Sequence, residues 1–281
     1  MKKTLLLALL SAGLSVSAYA DMTASETSQK LNDPTSDIWA MFTAFQLNSY
    51  SGDSLEGSEW GASILIEPIM PITINDDIKL LSRPVLPVFL GQPVPGETYK
   101  SGSNTYLDTD QEFGLGNMQL PLMLSPNKES KLTWGLGPTF IIPTNTDDAL
   151  GDDVWEAGVS FLSVYKPNEK FLSGALTQYW WSIDHDSEEE KKSHAQISLF
   201  NWYELGGGRS IGFAPTITYD ANREGEKWNV PVGLSYAWMD KIGDIPTKFQ
   251  IGAEYSIIKN DYYDSDFVLK LNIIPVIPSL L

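Results

Sequence analysis

Apolar residues recur at every second position of this chain, over stretches longer than the strands of an ordinary soluble protein. Between Lys248 and Ile258, Phe249, Ile251, Ala253, Tyr255 and Ile257 alternate with Lys248, Gln250, Gly252, Glu254 and Ser256. Trp60, Ala62, Ile64 and Ile66 alternate in the same way with Gly61, Ser63, Leu65 and Glu67, and Phe267, Leu269, Leu271 and Ile273 with Val268, Lys270 and Asn272. Successive side chains of a strand point to opposite faces, so each segment is a strand with one apolar and one mixed face. About twelve such segments follow one another: 38–50, 59–70, 77–90, 113–124, 131–143, 154–165, 170–183, 193–204, 209–220, 227–238, 247–258 and 265–275. Most run 11–14 residues. Strands of soluble proteins average about 5–6 residues, whereas a tilted strand that crosses a bilayer needs about 9–11. The pattern therefore predicts an all-β fold: one transmembrane antiparallel β-barrel of about 12 strands, with ten or fourteen also acceptable. The competing expectation is a soluble, β-rich exported protein.

The connections alternate in kind. Long acidic loops follow the odd strands: Ser51–Ser58, Gly91–Glu112, Thr144–Asp153 and Asp184–Lys192. Mostly tight turns follow the even ones: Ser125–Ser130, Lys166–Glu169 and Leu205–Gly208. Long loops outside and short periplasmic turns are the habit of bacterial outer-membrane barrels, and an even strand count brings both termini to the periplasmic rim. Tryptophans lie near strand ends. Trp39, Trp60, Trp155 and Trp228 open strands, and Trp180, Trp181, Trp202 and Trp238 lie near the ends of others. This predicts two interfacial girdles rather than tryptophans packed in a core.

The first twenty residues read as a secretory signal peptide. Lys2 and Lys3 precede a short apolar run, Thr4–Leu14, and Ala18-Tyr19-Ala20 is an A-x-A cleavage site. Beyond them, the longest stretches free of Asp, Glu, Lys and Arg are the 15-residue runs 38–52, 113–127 and 132–146. A spanning helix needs about 20 predominantly apolar residues. The expected organisation is a signal peptide 1–20, an N-terminal periplasmic or lumenal segment 21–37, and an outer-membrane barrel 38–281. The polar segment 21–37 is open between a short periplasmic helix, a lumen plug and disorder.

Composition removes whole classes of function. With 36 acidic and 19 basic residues the formal charge is −17, which argues against a nucleic-acid partner. The absence of cysteine excludes disulfides, thiolate catalysis, Cys-ligated zinc and iron–sulfur clusters, and also a lipoprotein anchor. Two histidines leave little room for a His-rich metal centre. No cofactor and no metal is expected, and the expected partners are outer-membrane lipid and a small-molecule solute.

Several collinear stretches resemble a family of bacterial outer-membrane proteins, that of the MetA pathway of phenol degradation, some members of which carry the name neuromedin U. They are Asn32-Asp33-Pro34-Thr35-Ser36-Asp37-Ile38, Ile66-Glu67-Pro68-Ile69-Met70-Pro71-Ile72, Leu81-Ser82-Arg83-Pro84-Val85-Leu86-Pro87 and Phe113-Gly114-Leu115-Gly116-Asn117-Met118-Gln119. Trp134-Gly135-Leu136-Gly137-Pro138-Thr139-Phe140, Pro143-Thr144-Asn145-Thr146-Asp147 and Trp228-Asn229-Val230-Pro231-Val232-Gly233 continue the series. The resemblance implies a β-barrel that moves hydrophobic or aromatic compounds across the outer membrane, and it brings no catalytic residues. The terminal Ile277-Pro278-Ser279-Leu280-Leu281 departs from the pattern of outer-membrane barrels by lacking a terminal aromatic residue.

If the apolar face meets lipid, the mixed face lines the lumen. Glu67 and Arg83 then stand about opposite each other across the turn near residue 75, and Glu254 and Lys270 across the turn near residue 262. Both are candidate cross-strand ion pairs. With Lys79, Gln178, Gln196, Gln250 and Asn272 they form the expected pore lining, either as a selectivity region or as lumen-filling pairs that stiffen the barrel. A hydrolase is the weakest reading. His194 lies four residues from Ser198, about 13 Å along a strand, beyond the hydrogen-bond reach a catalytic base requires. His185 lies in an acidic loop. Asp147, Asp148, Asp152 and Asp153 match no EF-hand spacing, and Gly206-Gly207-Gly208 is a turn. The expected function is an outer-membrane channel for passive uptake of small, hydrophobic or aromatic, molecules. The alternative is a non-transporting structural or surface-interaction barrel.

Overall fold

The computed structural model describes residues 22–128, 130–184 and 191–279. The expected signal peptide, His185 and the final two leucines lie outside them. One helix, α1 (Ala24–Asn32), precedes fifteen strand segments. These are β1 (Ala40–Ser51), β2 (Glu59–Thr73), β3 (Ile78–Ser82), β4 (Leu86–Ser101), β5 (Asn104–Leu115), β6 (Met118–Pro126), β7 (Leu132–Ile142), β8 (Glu156–Asn168), β9 (Phe171–Ser182), β10 (Ser193–Gly206), β11 (Arg209–Phe213), β12 (Thr216–Asp220), β13 (Trp228–Ile242), β14 (Ile245–Ile258) and β15 (Asp264–Pro275).

Three of the traverses are interrupted. β3 runs on into β4 past Pro84, β5 into β6 past Gly116, and β11 into β12 past Pro215. Proline lacks the ladder donor, and glycine weakens a strand, so each break has a local cause. Counted as traverses the wall has twelve strands, all paired antiparallel. β1 closes the ring: Thr43 stands between Ile66 of β2 and Ile273 of β15.

Burial is inverted relative to a soluble sandwich. The outward row Ile251, Tyr255 and Ile257 of β14 is exposed, whereas the inward Lys248, Gln250 and Glu254 are buried. Phe45, Leu47, Leu269 and Leu271 repeat the outward pattern on β1 and β15. A continuous apolar exterior on a sheet without edges is the surface of a barrel that spans a lipid bilayer.

Two expectations need correction. Gly91–Glu112 is not an open loop but most of a β-ribbon in which β4 and β5 continue past the wall, with Tyr99 opposite Tyr106 and Thr98 opposite Leu107. β-branched and aromatic cross-strand pairs, and the left-handed Gly102 (φ 63) at the tip, favour the ribbon. Nor do all tryptophans form girdles. Trp60, Trp155, Trp181 and Trp228 are exposed near the long-loop rim, and Trp134 near the short-turn rim. Trp39, Trp180 and Trp202 are buried. Their inward positions give Trp39 a hydrogen bond to the Pro71 carbonyl (3.1 Å) and Trp180 one to the Thr139 hydroxyl (3.1 Å), partners that lipid would not supply.

The short turn between β10 and β11 uses three consecutive positive φ angles, 90°, 62° and 73° at Gly206, Gly207 and Gly208. Open space surrounds the Cα of Gly207, as it does that of Gly57, whose backbone is not left-handed. Gly207→Val is therefore expected to lower unfolding stability by about 1–2 kcal/mol through backbone strain alone, with Gly57→Val near neutral. Urea unfolding of the refolded barrel, followed by gel mobility, measures the difference.

Candidate solute pathway in the barrel lumen

The two halves of the lumen differ. On one wall Leu81, Met123, Leu162, Val164, Leu172, Leu176, Trp202 and Ala237 pack together into an apolar cluster. Along β1, β2, β14 and β15 the inward rows mix Gln46, Asn48, Glu67, Gln250, Glu254, Lys270 and Asn272 with Phe42, Ala44, Leu65, Ile69, Val268 and Ile274. Between the two lies a cavity of about 450 Å³.

The N-terminal segment floors this cavity at the short-turn rim. Thr23 caps α1: its hydroxyl accepts from the Glu26 amide (3.2 Å), and the Thr23 amide donates to the Glu26 carboxylate (2.7 Å). The Thr23 amide foremost, and the Thr23 hydroxyl, which also donates to the carboxylate (2.9 Å), hold the Glu26 carboxyl below its ordinary pKa. At the other end of the helix, Asn32 donates to Glu204 (2.7 Å) and accepts from the Lys248 ammonium, and Ser28 also donates to Glu204 (3.3 Å). Lys248 is almost fully buried and sits 4.8 Å from the Trp202 ring centre. Downstream, Lys166 pairs with Asp33, Lys79 donates to the Thr35 carbonyl, and Lys30 pairs with Asp37 (2.6 Å). Of the alternatives open for 21–37, the described residues form a helix docked in the barrel mouth.

The structure brings both expected ion pairs together. The Arg83 guanidinium is 2.5 Å from the Glu67 carboxylate, and the Lys270 ammonium 2.6 Å from that of Glu254. Neither pair is directly opposite. Ser82 registers with Met70, and Lys270 with Gly252, so each contact reaches diagonally along the ladder. Arg83 also lies over Phe42, 4.9 Å from its ring centre. Gln178, Gln196, Gln250 and Asn272 line the cavity too. Lys79 does not: its bond to Thr35 takes it into the floor.

Gln119 was not among the expected lining residues; its amide donates to Gln196 (3.4 Å). β6 and β10 are not neighbours in the sheet, so this bond crosses the lumen. Gln196 continues to the Ser198 hydroxyl (3.1 Å), and Ser198 to Thr216 (3.3 Å). His194 lies apart from Ser198. Its Nε2 meets Glu156 (2.7 Å) and its ring stacks on Trp180, 5.1 Å away. Asp147 accepts from the Ala149 amide (3.0 Å) within its own loop, and Asp152 pairs with Lys192 (3.1 Å) of the next long loop.

No protein-family model matches the chain, and no curated protein does. Solved structures do. The COG4313 outer membrane channel from Pseudomonas putida F1 is similar with a TM-score of 0.57 at 14% identity, covering 85% of this chain and 95% of that one. The NanC porin follows at TM-score 0.48 and 8% identity, covering 85% and 99%. The CymD monoaromatic hydrocarbon channel has a TM-score of 0.45 at 7% identity, covering 92% of each chain. The first of these likenesses bears on the fold: this chain has the architecture of an outer-membrane β-barrel.

Two outcomes follow from the lumen geometry. Arg83→Ala strands the Glu67 carboxylate, whose side chain is only 7% exposed. The loss should approach the roughly 3–5 kcal/mol of an unpaired buried charge and be largely recovered by adding Glu67→Gln. A loss under about 1 kcal/mol would mean a well-hydrated pair. The temperature at which the folded gel band disappears reads this directly. Deleting residues 23–33 removes the floor and should raise single-channel conductance above that of the intact chain in planar bilayers.

Proposed function

We propose that this protein is a passive outer-membrane channel for small molecules, with hydrophobic or aromatic compounds as the favoured class. The observation that carries the reading is a cavity with mixed polar and apolar walls, enclosed by a barrel whose exterior is apolar. A barrel with only a structural role has no need of a cavity of about 450 Å³ in its lumen, since side chains can fill a small barrel. The resemblance to the family of the MetA pathway of phenol degradation supports the aromatic preference. On this reading residues 1–20 direct export, 21–37 form the periplasmic floor, and 38–281 form the barrel, with the long acidic loops outside. Glu67, Arg83, Gln178, Gln196, Gln250, Glu254, Lys270 and Asn272 face the solute. No enzymatic step is proposed, because His194 and Ser198 are each engaged by other partners.

Fractionation and vesicle swelling test this together. The protein should appear in the outer-membrane fraction with heat-modifiable gel mobility. Proteoliposomes carrying it should swell in arabinose faster than protein-free vesicles. A folded barrel with neither swelling nor conductance would sink the channel and favour a surface-interaction barrel.

A further inference from the structure

One hydrogen bond in the lumen joins strands that the wall keeps well apart. Gln119 of β6 donates to Gln196 of β10 at 3.4 Å, and β7, β8 and β9 stand between those two strands in the wall. Both ends start from anchored backbone. Gln119 exchanges amide and carbonyl bonds with Val85 (3.0 and 2.9 Å), and Gln196 registers between Gln178 of β9 and Thr218 of β12. The Gln196 side chain is aimed by its own bond to Ser198 (3.1 Å), which continues to Thr216 (3.3 Å). A chain of neutral groups thus holds one amide out from the wall to meet the other.

This bond separates two unlike regions. Behind it, Thr139 accepts from Gln178 (2.9 Å) and from Trp180 (3.1 Å), and Ser160 donates to the Gly137 carbonyl (3.0 Å). Thr139, Ser160, Gln178 and Trp180 are all buried, Gln178 with 3% of its surface exposed. Among the described residues, none of β7 or β8 lines the cavity. In front of it the cavity is open, and Phe42, Gln46, Leu65, Gln250 and Lys270 line the far wall. Gln119 and Gln196 are themselves half-buried and line the same cavity. A solute atom needs about 3.5–4.0 Å to each neighbour, so nothing passes between two amides that are 3.4 Å apart.

We propose that Gln119 and Gln196 form a strut that sets the width of the solute path. It confines passage to the side of β1, β2, β14 and β15 and turns away solutes too broad for that side. The strut acts on size through one neutral hydrogen bond, whereas the ion pairs of the far wall act on charge. Its role in passage rests on the channel reading; its role as a cover over Gln178 does not.

The chain has no cysteine, so a single introduced thiol reports only its own surroundings. Gln178→Cys, in the folded barrel in detergent, should react slowly with methyl methanethiosulfonate, followed as a mass increase. Adding Gln119→Ala should speed the reaction roughly three- to tenfold, the scale of one net hydrogen bond. Gln119→Met, which keeps the bulk and lacks the donor, and Gln196→Ala, which removes the strut from its other end, should do the same. Heat-modifiable gel mobility identifies the folded variants. Gln178→Cys that reacts as fast as free cysteine, or a rate that none of the folded variants raises, would overturn the strut. Vesicle swelling then separates the strut from the channel. The intact barrel should pass arabinose faster than sucrose, and Gln119→Ala should raise the sucrose rate relative to that of arabinose. An unchanged ratio would reject the control of width. Accelerated labelling in a barrel that passes neither sugar keeps the cover and rejects the channel. Swelling in arabinose with labelling rates that do not respond to Gln119 does the reverse.

Discussion

A backbone amide placed in hydrocarbon has no water to bond to, so every strand facing lipid must find a partner on both sides. In this chain that requirement is met by β1, which pairs with β2 along one edge and β15 along the other. Closure at β1 turns twelve individually unstable ribbons into one edgeless wall. It also forces the sorting of side chains: once the ring is shut, alternate residues have only lipid or lumen to face. The outward apolar rows and the inward charges are both products of that step.

The interior then has its own problem, because a lumen lined in good part by apolar side chains is a poor solvent for charge. The structure answers it by pairing. Glu67 and Arg83, and Glu254 and Lys270, neutralise each other across adjacent strands. The deepest cation, Lys248, is held by Asn32 of the helix, with the Trp202 ring of β10 beside it. The N-terminal helix is therefore more than a stopper. It supplies polar groups that Lys248 and Glu204 would otherwise lack, so docking of the helix and charging of the lower barrel are coupled. Gly208 ties the same helix to the wall, its amide donating to the Ser25 hydroxyl (3.3 Å).

The number of strands and their inward faces were legible because alternation is a local property. Each residue of β14 declares its face by its neighbours, and Glu254 and Lys270 could be matched from turn position alone. What was not legible depends on long-range placement. Gln119 reads as one more polar inward residue; its bond to Gln196 exists only because the closed ring faces β6 toward β10. Trp180 and Trp202 sit near strand ends like girdle tryptophans, but parity within the strand turned them inward. Lys79 has the parity of a pore residue and is claimed by the Thr35 carbonyl of a segment whose conformation the sequence left open. The ribbon of β4 and β5 was masked by its acidity, which is a property of its solvent exposure and not of its backbone.

Charge is distributed along the barrel axis in a way that separates two effects usually merged in one pore. Asp53, Glu56, Glu97, Asp108, Asp110, Asp147, Asp148, Asp152 and Asp153 are all exposed around the long-loop rim, while the lumen lining balances four acids against four bases. An exposed anionic rim concentrates cations in front of it, but its field fades over about 8–10 Å at ordinary ionic strength. It therefore acts on approach and not on passage. Inside, the paired charges cancel within a few ångströms. That division follows from where the barrel wall places its odd and even residues.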